Sequence, residues 1–74
     1  MKTKAELFQE TLPDESEIFK MVTLVHEAGG DRFGKNAYKV EFDDGSYYII
    51  FVFRPQNQYA YFNGSAKTHF GVME

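Results

Sequence analysis

Residues 47–53, YYIIFVF, are apolar at every position and follow an Asp44-Gly45 turn signal. A strand with one wet face alternates polar and apolar residues, and this one does not. A run of this kind fits a strand buried on both faces, in the middle of a sheet. Left at an edge, it would template aggregation. The rest of the chain therefore has to cover this segment.

The preceding residues do alternate. Tyr38, Val40 and Phe42 are interleaved with Lys39, Glu41 and Asp43, the period of a half-buried strand. Read as a two-residue hairpin turn with positive φ, Asp44-Gly45 pairs Phe42 with Tyr47, Val40 with Ile49 and Tyr38 with Phe51. On that register these six side chains share the core face. Arg54-Pro55 ends the run, and residues 58–62 are expected to return as a third strand. An even-length loop places Ala60 and Phe62 inward, and Tyr59 and Tyr61 beside Ile50, Val52 and Arg54; a three-residue loop would swap them. The even loop is the expectation adopted, because small Ala60 suits a crowded core and tyrosine tolerates a wet face. Tyr48, Ile50, Val52, Arg54, Tyr59 and Tyr61 then form a second, aromatic face.

Thr3-Lys4-Ala5-Glu6 has capping-box spacing, and Leu7, Phe8, Thr11 and Leu12 follow at helical intervals up to Pro13. Asp14-Glu15-Ser16-Glu17 repeats the signal, and residues 15–28 are expected to be a second helix. Ile18, Phe19, Met21, Val22, Leu24, Val25 and Ala28 occupy one broad arc, and Gly29-Gly30 is a stop. The β-branched residues of 18–27 would also allow a strand, but the segment lacks clean alternation. Residues 29–36, GGDRFGKN, match the glycine and lysine spacing of a phosphate loop, yet Asn36 replaces the hydroxyl residue and the segment precedes a strand. A connector with Phe33 tucked inward is the simpler expectation. Residues 63–67 read as a turn, and residues 68–73 as a short fourth strand or a tail, with Phe70 and Val72 inward.

The expected architecture is α+β: two N-terminal helices packed on one face of a three- to four-stranded antiparallel β-meander, in a single domain over residues 1–74. With 74 residues and no cysteine, neither a disulfide framework nor a thiolate metal site is available, and the core must come from eight Phe and five Tyr. The longest apolar run is too short for a membrane span or an export signal, so cytoplasmic residence is the default.

His26 and His69 are the only imidazoles, and their spacing predicts neither an acid–base pair nor a metal site. The turn accounts for Asp43 and Asp44. The expectation is a non-enzyme without cofactor or metal. Its partner would be another protein or protein complex, bound through the aromatic sheet face with Tyr48, Ile50, Val52, Arg54, Tyr59 and Tyr61 as contacts. Small acidic chains of this size often act as inhibitors, of the phage- or mobile-element type, that occlude a larger host protein. The alternatives are single-stranded nucleic acid stacked on the tyrosines, and a homodimer. A net charge of −3 argues against the first.

Overall fold

The computed structural model describes residues 1–53 and 64–73. Two helices precede a four-stranded antiparallel sheet, an α+β arrangement. Helix α1 spans Lys4–Thr11; a 3-10 turn over Glu15–Glu17 leads into α2, Ile18–Glu27. Strands β1 (Asp31–Arg32), β2 (Ala37–Glu41), β3 (Ser46–Phe53) and β4 (Ser65–Val72) lie in sequence order across the sheet. The apolar run is central, as its composition demands, with β2 on one side and β4 on the other.

Local chemistry sets the start of α1 and the end of α2, but not the start of α2. Thr3 Oγ1 accepts the Glu6 N–H at 3.2 Å, the first half of the expected capping box. Asp14 makes no side-chain cap, and the second helix enters through the 3-10 turn instead. At the end of α2, the Gly30 N–H donates to the Val25 carbonyl at 2.8 Å and the Gly29 N–H to that of His26 at 3.0 Å. With Gly29 at φ +94°, this is a Schellman motif. Gly30 is required for another reason: a Cβ there would lie 2.4 Å from Val25 Cγ1 and 2.6 Å from its carbonyl oxygen.

The pairing of β2 with β3 departs by one residue from the expected register. Val40 faces Tyr48, Tyr38 faces Ile50, and Ala37 faces Phe51. The loop has three residues, Asp43 to Gly45, closed by the Phe42 N–H to the Ser46 carbonyl at 2.8 Å and the Gly45 N–H to the Phe42 carbonyl at 3.2 Å. Gly45 has φ +88° as expected, but Asp44 does not take the positive φ that a two-residue turn would impose on it. A turn of this length followed by a left-handed glycine is the bulged three-residue hairpin. The Asp44 carboxylate favours it by accepting the Ser46 N–H at 2.9 Å, two residues on.

One residue of slip exchanges the two faces of β3. Tyr48, Ile50 and Val52, expected on an outer face, are buried with Val40, Ala66 and, from α2, Ile18, Met21 and Val25. Phe8 of α1 seals this core, its ring 5.2 Å from that of Tyr48 and 5.6 Å from that of Phe42. The apolar arc of α2 is narrower than its sequence suggests, and Phe19 stays 57% exposed.

Three smaller expectations also change. Residues 31–32 pair with β2 as an edge strand, so 29–36 is mostly hairpin rather than connector, and Phe33 is 50% exposed instead of tucked in. Residues 65–67 are strand, not turn, because β4 runs the length of β3. Phe70 and Val72 sit on the helix side of the sheet but remain exposed. The strand expected at 58–62 lies outside the described residues. No helix among the described residues is long and apolar enough to cross a membrane.

Candidate interaction face

The helices pack on one side of the sheet, and the other side carries the alternate residues of every strand. Its register can be read in rows. Phe33, Ala37, Phe51 and Lys67 form one row; Asp31, Lys39, Ile49 and His69 the next; Glu41, Tyr47 and Gly71 a third. Phe53 and Ser65 extend the face beyond the first row. None of the helical core residues lies here.

Lys39 organises the end of the face nearest β1. Its ammonium lies 5.2 Å from the centroid of Phe33 and 5.3 Å from that of Tyr47, and pairs with Glu41 at 3.0 Å. The two rings attract the cation through their negative faces, while Glu41 supplies the counter-charge. The hairpin of residues 32–37 brings Phe33 here. Its N–H bonds the Ala37 carbonyl at 2.8 Å, Gly34 takes φ +93°, and the Arg32 guanidinium holds the Lys35 carbonyl at 2.8 Å. A shallow hollow of about 290 Å³ lies beside this group, lined by Gly29, Asp31, Arg32, Phe33, Lys39 and Glu41.

Towards β4, Tyr47 covers Gly71. A Cβ at Gly71 would lie 2.8 Å from the Tyr47 hydroxyl oxygen and 3.0 Å from its Cζ, so the aromatic ring occupies the place a side chain would take. The same hydroxyl lies 3.4 Å from His69 Nε2, with the two rings 5.9 Å apart. Ile49 is the centre of the face and only 8% exposed. Phe33 and Phe53, 50% and 44% exposed, are its open apolar surface.

The residues expected to bind a partner are thus divided. Tyr48, Ile50 and Val52 are core, each at most 3% exposed. Burial pushes the Tyr48 phenol up to about 12, and its hydroxyl donates to Gln9 Oε1, which also accepts from Thr68 at 3.1 Å. These contacts fasten α1 to the sheet. Arg54, Tyr59 and Tyr61 lie outside the described residues. Among the described residues, this helix-free face instead presents Phe33, Lys39, Tyr47, Ile49, Phe51, Phe53 and His69. The signal for it was in the turn, where Asp44 followed two residues later by Ser46 favours three loop residues over two.

His26 is exposed in the last turn of α2, and His69 lies on β4 against Tyr47. Among the described residues, no three His, Cys, Asp or Glu side chains converge to hold a metal ion. No family model, curated protein or solved structure matches the chain.

Proposed function

We propose that this protein is a non-catalytic binding module whose helix-free sheet face takes another protein, acting as an inhibitor that occludes a site on a larger protein or complex. The observation that carries this reading is the composition of that face. Phe33, Tyr47, Ile49, Phe51 and Phe53 lie together on the side of the sheet away from α1 and α2. Aromatic anchors rimmed by paired charges are the usual make-up of a protein contact.

Charge supports a protein over a nucleic acid. Among the described residues, the face carries two acids, Asp31 and Glu41, against two bases, Lys39 and Lys67, and Lys39 is already paired. A phosphate track needs an excess of cations, and its binding weakens steeply with salt. A second copy of the chain is one protein that could occupy the face.

The test is affinity capture from extracts of the native source, using the unaltered chain beside Phe33→Glu and Phe53→Glu, at low and high salt. Loss of the same protein partner in both variants, with little dependence on salt, is the expected result. With the partner purified, Phe53→Ala should weaken binding by about 1–3 kcal/mol if Phe53 is an anchor. Equal capture by all three chains, or recovery of nucleic acid that high salt releases, would overturn the reading.

A further inference from the structure

We infer that, without another partner, the helix-free face closes on a second copy of itself, so that self-association and partner binding compete for one surface. This rests on that face being the interaction face, and it follows from the rows of the register. In face-to-face packing, a two-fold axis parallel to the strands and midway between β2 and β3 lays β1 over the partner copy's β4, and β2 over its β3. The rows then superpose on themselves.

The superposition is complementary at each position that matters. In the first row, Ala37 meets Phe51 of the other copy, small against large, and Phe33 meets Lys67, ring against cation. In the middle row, Asp31 meets His69, and the Lys39 stem meets Ile49. In the third, Glu41 meets the Tyr47 hydroxyl. A two-fold axis perpendicular to the strands, through the middle row, would instead set each strand on itself, with Asp31 over Asp31 and Lys39 over Lys39, and gains none of these pairings. Two sheets related by the first axis stack as an aligned sandwich, and twist turns them by roughly 30° about the middle of the central row, where the Lys39 stem and Ile49 meet.

Size decides the strength. Four strands at about 4.8 Å spacing and five residues at about 3.4 Å give a footprint of roughly 19 by 17 Å on each copy. That falls at or below the low end of specific interfaces, so the dimer is weak and reversible, as a surface shared with another partner requires.

Sedimentation of the purified chain across concentrations reads the association. The expected result is a monomer–dimer equilibrium in the micromolar range or weaker. His69→Glu should raise its dissociation constant at least about fivefold, by setting an acid over Asp31. Adding Asp31→Lys should restore it; both positions are exposed, so neither variant burdens the fold. A chain that stays monomeric to millimolar concentration overturns the inference, while partner capture with Phe33→Glu and Phe53→Glu tests the binding face separately. A dimer that the double variant fails to restore also overturns it.

Discussion

Asp44 accepts the backbone N–H of Lys4 at 2.8 Å, so the tip of the β2–β3 hairpin caps a helix forty positions earlier in the chain. Ser46 Oγ accepts the next donor, from Ala5, at 3.1 Å, and Thr3 accepts the Glu6 N–H through its hydroxyl and the Leu7 N–H through its carbonyl. The N–H groups of Lys4, Ala5 and Glu6, which have no partner within the helix, are thereby all met, and the Leu7 N–H starts the helical ladder. The turn that sets the strand register also seats the helix. Lys4 adds an ion pair from its side chain to Asp43.

Acid should undo this junction first. The Lys4 N–H, followed by the hydroxyl and N–H of Ser46, holds the Asp44 carboxyl down at about 2, below its usual 3.8. A depressed pKa contributes stability above the unfolded value and loses it as pH falls through the folded one. Stability should therefore drop between about pH 4 and pH 2, and Asp44→Asn should be less stable at neutral pH with a flatter profile in that window. Urea denaturation followed by circular dichroism at a series of pH values checks both.

The register makes a sharp comparison between neighbouring residues. Ile50→Ala empties a fully buried position and should cost about 2–5 kcal/mol. Phe53→Ala, at a 44% exposed position on the other face, should cost about 1 kcal/mol or less. Denaturant midpoints of the two variants decide between the observed pairing and the one expected from a two-residue turn.

Tyr48 should respond to base. Its phenol is raised to about 12 by burial, against 10 for an exposed tyrosine. The neutral phenol is the form the core accepts, so its contribution is intact below pH 10 and is lost as pH rises towards 12. Tyr48→Phe should cost about 0.5–1.5 kcal/mol at neutral pH, since Gln9 keeps its bond from Thr68. Ultraviolet titration of the unaltered chain should show one tyrosine ionising late, and the variant should lack it.

The two glycines after α2 should fail for different reasons. Gly29→Ala meets no neighbour but must hold φ near +94°, a strain of about 1 kcal/mol. Gly30→Ala drives a methyl into the Val25 carbonyl and should cost about 1–3 kcal/mol. Gly29→Asn, which tolerates the left-handed region, should recover part of the first loss, while no substitution should rescue the second. Thermal melting ranks all three.

Much of the architecture was written in local pattern. The Thr3 cap, the stop at Gly29-Gly30, the alternation of 38–42 and the unbroken run of 47–53 depend on residues within a few positions of one another, and each predicts its element. The places where local chemistry misled are also specific. Asp14 has the residues of a cap and makes none. Phe33 is apolar yet lies over Lys39 on the surface.

Which face of β3 became core was beyond the pattern, because Tyr47, Ile49, Phe51 and Phe53 are as apolar as Tyr48, Ile50 and Val52. When both faces of a strand read alike, hydrophobicity cannot choose between registers one residue apart. The tertiary structure chose through Asp44 and Ser46, whose side chains reach the first turn of α1. Sequence by itself determined that residues 47–53 would be a central strand needing cover. Only the folded molecule decided which side α1 and α2 would take, because the bonds that fasten α1 to the turn run between residues about forty positions apart.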